Sequence, residues 1–312
     1  MKIGVIGAGA IGGWLASRLA MAGHQVTLLR APERLAGETR RLLYRDEDGE
    51  SALDFPTSSS LPSCDLLIIA VKAIHLADAA GFAGASIGPE TLILPLQNGV
   101  PWWFMAPERL QSVDPTGSIG NAFPEGQVIG SVVHAAVKRE GETLQLVHAD
   151  RLLLGEPSGG TSGRIDALVK LFEDAGVPAL ADPEIRRSIW YKLWGNLTMN
   201  PLSALTGGTL LDLIDAPALK PFILDCMAEC AAVGASIGCP IEESGEDRIE
   251  VARRIGAFKT SMLQDVEADR PIELEALVGA AREIAAMKGV ATPNIDALYG
   301  MTRLMAEKKG LL

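Results

Sequence analysis

Two rhythms of apolar residues divide the chain. In the first part the apolar runs are short and continuous, as expected of strands covered on both faces. Lys2 to Ile6 forms one such run, Gly7 to Gly12 a turn, Ile11 to Ala22 a helix and His24 to Leu29 a second strand, which makes a strand–helix–strand unit of about 30 residues. Asp65 to Val71 (DLLIIAV) and Thr91 to Pro95 (TLILP) continue the series as parallel-sheet strands. Between Ser112 and Gly155 the runs Gln127–Val137, Thr143–Val147 and Arg151–Leu154 are rich in Val, Leu and Ile, and predict antiparallel strands that close the sheet. Thr161 to Ala175 has helical spacing, and Val177 to Ala181 is a last strand. After Asp182-Pro183, a candidate N-cap followed by proline at a helix start, the pattern stays helical. The predicted helices are Glu184–Leu205, Ala216–Ile237, Glu246–Gln264, Glu273–Lys288 and Ile295–Lys309. The expected fold is therefore α/β, a parallel-sheet domain with covering helices over 1–182 followed by an all-α domain over 183–312.

Composition narrows the function. A chain of 312 residues suits two domains of ~150 residues. With 28 Lys plus Arg against 39 Asp plus Glu, the formal net charge is −11, which repels phosphate backbones. Aromatics make up only 5%, too few for base-stacking platforms, so nucleic acid is not an expected partner. No apolar stretch is long enough without glycine or charge to span a membrane. The amino-terminal segment has the outline of a signal peptide, but Gly4, Gly7, Gly9, Gly12, Gly13 and Arg18 interrupt it and fit strand, turn and helix better. Cys64, Cys226, Cys230 and Cys239 are too scattered for a disulfide scaffold and lie far from the histidines, so neither disulfides nor a metal site is expected, and the compartment is read as cytoplasmic.

The first candidate chemistry is Gly7-Ala8-Gly9-Ala10-Ile11-Gly12, a G-x-G-x-x-G that follows a strand and opens a helix. In such a turn Gly7 permits the bend, Gly9 lets a pyrophosphate approach the backbone, and Gly12 lets the helix pack on the strand. The free N–H groups of the helix start then bind phosphate. The second strand ends Thr27-Leu28-Leu29-Arg30, with an arginine where an NAD site places an acid for the ribose 2′-hydroxyl. Arg30 would pair with a 2′-phosphate, so NADPH is the expected cofactor, and Glu33, beyond Pro32, is placed on the following turn. Lys72 and Asn98 follow the next two strands at the carboxyl ends, where open α/β sheets bind ligands. Asn98-Gly99 also fits an ordinary turn and Lys72 a helix-start charge, and the residues alone leave both readings open.

The helix after residue 183 contains Trp190-Tyr191-Lys192-Leu193-Trp194-Gly195-Asn196-Leu197-Thr198-Met199-Asn200-Pro201. Lys192, Asn196 and Asn200 recur every four residues and share one face, drifting by only ~40° per step. Trp190 and Trp194 point the other way. An amine with two amides is an unusual solvent face and fits the wall of a polar crevice, while Pro201 should kink or interrupt the helix near Asn200. A third cluster joins Ser261-Met262-Leu263-Gln264-Asp265 to Glu273, which could equally be a helix end and a helix start.

GAGAIG, VKA around Lys72, LQNGV around Asn98, the WYKLWGNLTMNPLSAL helix and TSMLQD around Ser261 together resemble the ketopantoate reductase (2-dehydropantoate 2-reductase) family over essentially the whole chain. The resemblance implies a Rossmann domain followed by an all-α domain, with the site between them. It implies Lys192 as general acid, Glu273 as its acidic partner, Asn98, Asn196 and Asn200 as substrate-binding amides, Ser261 as the hydroxyl for the substrate carboxylate, and Lys72, the lysine after the strand, with Asn98 among the cofactor-binding residues. The implied reaction is NADPH-dependent reduction of a small 2-keto acid, ketopantoate to pantoate in pantothenate biosynthesis. Another 2-keto acid or a non-catalytic NADP(H) sensor are the alternatives, and a homodimer is among the assemblies left open. One departure stands out: the family often carries a further substrate asparagine where this chain has Thr206-Gly207-Gly208-Thr209-Leu210.

Overall fold

A computed structural model describes residues 1–35 and 37–312, together with every side chain among them except that of Ile255. Its residues group into two compact units, 1–97 with 116–186 and 98–115 with 187–312.

The first unit is built on strands β1 (Lys2–Ile6), β2 (Gln25–Leu29), β3 (Thr39–Asp46), β4 (Gly49–Ser58), β5 (Leu66–Ile69), β6 (Leu92–Pro95), β7 (Gly130–Glu140), β8 (Thr143–Gly155) and β9 (Ala179–Ala181). They form one sheet in the order β6-β5-β1-β2-β4-β3-β8-β7, with β9 on β8. The half from β6 to β4 is parallel, in the pairs β5/β6, β1/β5, β1/β2 and β2/β4. The hairpins β3/β4 and β7/β8 supply the antiparallel pairs. Helices α1 (Ala10–Met21), α2 (Leu76–Ala83), α3 (Ser118–Ala122) and α4 (Gly163–Asp174) belong to this unit. Its core gathers Ile3, Val5, Leu15, Leu19, Leu28, Leu66, Ile68 and Phe172, all buried. The runs Thr143–Val147 and Arg151–Leu154 are one strand rather than two, and register shifts at His134/Ala135 and Ala136/Val137 let β7 follow it.

From Ile185 the chain is helical: α5 (Ile185–Thr206), α6 (Leu210–Ile214), α7 (Lys220–Ser236), α8 (Gly245–Ile255), α9 (Ser261–Glu267), α10 (Ala280–Lys288) and α11 (Pro293–Lys309). Two expectations are corrected. Glu246–Gln264 is not one helix: Gly256, at φ 88°, ends α8, and the Thr260 hydroxyl caps α9 by accepting from the Leu263 N–H at 3.2 Å. Pro201 does not interrupt α5, which runs on to Thr206. Proline deprives the helix of one N–H, but buried Leu202, Ser203 and Ala204 hold the last turn in place.

Candidate active site

In the first unit the turn after β1 is shaped by what a Cβ would strike. Gly7 has φ 91°, and a Cβ there would lie 2.7 Å from the Ala70 carbonyl carbon and the Val71 nitrogen, at the end of β5. A Cβ on Gly12 would lie 2.7 Å from the Ala70 Cβ and closer still to the Gly7 carbonyl oxygen. The Gly9 position is open, with only the Gly7 oxygen within 4.0 Å. Gly9 is also the cap of α1, and no side chain caps the helix start. Two glycines therefore make the close packing, and the third leaves the backbone approachable.

A cavity of about 680 Å³ opens against this turn, lined by Gly7, Ala8 and Gly9 and by the β2 end with Arg30 and Glu33. Ala10, Ile11, Gly12 and Lys72 are not among its lining residues, although Val71 and His75 are. Lys72 precedes the short helical turn Ala73–His75, and its carbonyl accepts the His75 N–H at 2.9 Å. The Gln97 amide donates to the carbonyls of Ile69 (2.9 Å) and Val71 (3.2 Å), and so fixes the chain that leads into Lys72. Arg34, Arg40 and Arg139 also line the cavity. Arg40 and Arg139 were not legible as site residues, because they arrive from other strands, β3 and β7. The basic lining, the exposed backbone turn and the volume fit a phosphorylated dinucleotide.

The second unit carries the other predicted residues. Trp190 and Trp194 are 0% and 2% exposed, and their indole N–H groups donate to the carbonyls of Cys230 (3.1 Å) and Met227 (2.8 Å) on α7. Phe104 stacks on Trp190 at 5.9 Å. These contacts fix the rotation of α5 about its axis, and with it the face that carries Lys192, Asn196 and Asn200. Asn200 is buried at 6% exposure, while Lys192 and Asn196 are half-buried. Among the described residues the amides of Asn98, Asn196 and Asn200 and the Ser261 hydroxyl make no hydrogen bond to another residue. Ser261 is exposed at the first position of α9. Asn98 belongs to this unit, not to the one that carries the cavity. Its neighbour Gly99 has φ 86° and sits against Ala276, whose carbonyl accepts the Val100 N–H at 2.8 Å. Ala276 lies in a π-helical turn, Glu275–Gly279, directly after Glu273.

Lys192 and Glu273 are electrostatically coupled. Burial pushes the Lys192 ammonium down from its ordinary 10.5 to about 8, against the opposing pull of the Glu273 carboxylate. A lysine held near 8 carries a proton at neutral pH and releases it with little driving force, which suits a general acid. Among the described residues no cluster of His, Cys, Asp and Glu could hold a metal ion.

A half-parallel sheet with a Gly-rich turn, followed by a helical unit, is the frame of a dinucleotide-binding protein, and the likenesses that follow make it an oxidoreductase acting on a CH–OH group. Likeness to known proteins gives the particular family. Residues 3–159 match the family model described as "Ketopantoate reductase PanE/ApbA" and residues 184–306 the one described as "Ketopantoate reductase PanE/ApbA C terminal". The chain is 38% identical to a 2-dehydropantoate 2-reductase of Mesorhizobium japonicum, over 99% of both chains. A crystal structure from Ralstonia solanacearum MolK2 with a ketopantoate reductase designation superposes with TM-score 0.94 at 43% identity, covering 100% of this chain and 99% of that one. A complex of D-mandelate dehydrogenase with NADH and anilino(oxo)acetate shares the fold, with TM-score 0.84 at 22% identity and full coverage of both chains. The chain belongs to the ketopantoate reductase family.

Proposed function

We propose that this protein reduces 2-dehydropantoate to pantoate with NADPH, a step of pantothenate biosynthesis, and that Lys192 is its proton donor. The observation that carries this reading is Lys192 itself, held near 8 beside Glu273 on a helix face with two unpartnered amides. When bound, the dihydronicotinamide supplies the hydride for the C2 ketone. Lys192 holds a proton at Nζ, stabilises the negative charge that develops on the carbonyl oxygen and donates the proton there, help worth ~10²–10⁴-fold. The Glu273 carboxylate keeps that proton available by opposing the effect of burial. Asn98, Asn196 and Asn200 orient the substrate's carbonyl and hydroxyl groups, and the Ser261 hydroxyl faces its carboxylate. Gly7 to Gly12 hold the pyrophosphate, Arg30 takes the 2′-phosphate, and Lys72 stands beside the cofactor end of the sheet. Four buried thiols fit a reducing, cytoplasmic setting.

A second reading, reduction of a different 2-keto acid, has its own observation. The stretch 206–210 offers no amide: Gly207 has φ 72°, the Gly208 carbonyl accepts from the Ser203 hydroxyl at 2.6 Å, and Thr209 is occupied in capping α6. A site that bonds a substrate hydroxyl rejects analogues lacking it by ~10⁴–10⁵-fold, and a missing amide removes part of that penalty. The test follows NADPH absorbance with ketopantoate and with 2-ketoisovalerate, which lacks the hydroxymethyl group. Ketopantoate is expected to turn over, with less than ~10⁴-fold preference over 2-ketoisovalerate. No turnover of ketopantoate refutes the first reading, and a larger preference refutes the loosened pocket. A non-catalytic sensor would bind NADPH and turn over neither acid.

A further inference from the structure

The cavity at the Gly-rich turn holds more positive charge than one cofactor-reading arginine explains. Arg40 comes from β3 and Arg139 from the end of β7, on the antiparallel side of the sheet. The Arg139 guanidinium donates from Nη1 to the Ala8 carbonyl at 2.9 Å, inside the G-x-G-x-x-G turn, and from Nε to the Gly141 carbonyl at 2.8 Å. Its Nη2 lies 3.5 Å from the Glu142 carboxylate. Arg40 grips the same carboxylate with a fork, at 3.0 Å from Nε and 2.8 Å from Nη2. Arg40 and Arg139 both line the cavity with Arg30. Two guanidiniums thus share one carboxylate, and a third, Arg30, lines the same cavity, in a chain whose formal charge is −11. Burial, and then repulsion from Arg40 and Arg30, lower the Arg139 pKa, while Glu142 opposes them. Crowding like charges costs stability unless an anion completes the set.

We propose that Arg139 and Arg40 receive the cofactor's 2′-phosphate together with Arg30, and that Glu142 is the carboxylate with which that phosphate competes. The inference rests on the NADPH reading and adds to it the residues that discriminate. Each guanidinium has five donors in a planar fork, and Arg139 commits only two of them to backbone carbonyls, so donors remain for phosphate oxygens. The β2 end, where Arg30 sits, is where this fold reads the ribose 2′ position. The bond to Ala8 gives Arg139 a second task, because it ties the phosphate-binding turn to the same cluster. The 2′-phosphate end and the pyrophosphate end of the cavity are thereby linked through one side chain.

The test titrates the full-length protein calorimetrically with adenosine 2′,5′-bisphosphate and with 5′-AMP. The unaltered chain is expected to bind the bisphosphate at least ~10-fold more tightly, since charge-assisted forks are the strong ones. Arg139→Met and Arg40→Met should each weaken the bisphosphate at least ~5-fold and change 5′-AMP by less than ~2-fold. Glu142→Gln should tighten the bisphosphate alone, and it decides the matter if either arginine variant fails to fold. An unaltered chain that binds both nucleotides equally overturns the NADPH reading and this proposal with it. A discriminating chain whose arginine variants still discriminate, or whose Arg139→Met weakens both nucleotides equally, overturns this proposal alone; the latter result would make Arg139 a brace of the turn. A Glu142→Gln variant that leaves the bisphosphate unchanged overturns the competing carboxylate, and overturns the whole proposal where an arginine variant does not fold.

Discussion

Replacing Glu273 by glutamine should move the alkaline limit of the reductase to lower pH. Burial depresses Lys192 from 10.5 to about 8, and Glu273 is the group that opposes this. The net depression corresponds to roughly 3 kcal/mol at ~1.36 kcal/mol per pH unit. An opposite charge at close range is worth ~1–3 units. Glutamine keeps the size of the side chain and removes that support, so the lysine should titrate at least ~1 unit lower, near neutrality. The protonated form donates, so kcat/KM for reduction should be flat on the acid side of about 8 in the unaltered enzyme and fall ~10-fold per pH unit above it. In Glu273→Gln the same limb should begin near pH 7 or below, with the plateau at low pH retained. The profile of kcat/KM is the proper readout, because it reports groups of the free enzyme. For the reverse oxidation, where neutral Lys192 accepts the proton, the limb should be inverted. A Glu273→Gln profile superimposable on the original would show that the carboxylate does not support the ammonium. A unaltered enzyme with no alkaline limb would remove Lys192 from the proton transfer.

Three further outcomes follow from the same geometry. Arg30→Asp should erase or reverse a preference for NADPH over NADH of at least ~10-fold in kcat/KM, a preference that a charged phosphate contact readily supplies; equal use of both cofactors by the unaltered enzyme contradicts it. Gly12→Ala drives a methyl group into the Gly7 carbonyl oxygen and the Ala70 Cβ, so it should lower stability by ~2 kcal/mol or more and weaken NADPH binding, as read by thermal melting and cofactor fluorescence; unchanged affinity speaks against this packing. Lys192→Met should abolish most turnover yet raise the melting temperature at pH 7. The sign follows from proton uptake: the unfolded chain binds more protons between about 8 and 10.5, so stability rises with pH through that window and the full cost lies below it. The gain is at most ~3 kcal/mol and should vanish near pH 10.5, and a gain that persists there would trace to packing instead.

What could be read from the sequence depended on the range of the interaction. The unit from β1 to β2 was legible because its signals are local: an apolar run, a glycine turn, and a helix that starts and stops within about 30 residues. The row on α5 was legible because helical spacing alone puts Lys192, Asn196 and Asn200 on one face. The hairpin β3/β4 escaped because its apolar positions alternate with charge. Leu42 and Tyr44 point inward between Arg41 and Arg45, and they pair with a strand that carries Glu50 and Asp54. The π-helical turn at Glu275–Gly279 escaped because nothing in its composition distinguishes it from the helix that follows. Its contact partner, the Asn98–Val100 segment, lies more than 170 residues away in sequence. Grouping of 98–115 with the helical unit was equally hidden, since it rests on Phe104 against Trp190 and on Glu283 accepting from the N–H groups of Gln111 and Ser112 at 2.7 and 2.8 Å.

On the proposed reading, the chemistry carried by α5 depends on the aromatic face behind it. Keeping Lys192 at about 8 costs the folded state roughly 3 kcal/mol at neutral pH. Each indole of Trp190 and Trp194 buries ~150–250 Å², which at ~25 cal/mol per Å² stabilises by about 4–6 kcal/mol. The two together exceed the cost of the lysine, and their bonds to Cys230 and Met227 also fix the helix in rotation. A rotation of one residue, about 100°, would carry Lys192 out of range of Glu273 and turn the amides away from the side on which the proposed substrate binds. The aromatic face thus does two separate things. It supplies the free energy that allows a depressed lysine, and it supplies the angle at which that lysine is useful. Position and energy come from the same two side chains, so on the proposed reading the amides of Asn196 and Asn200, which bond to no other described residue, can be given over to the substrate.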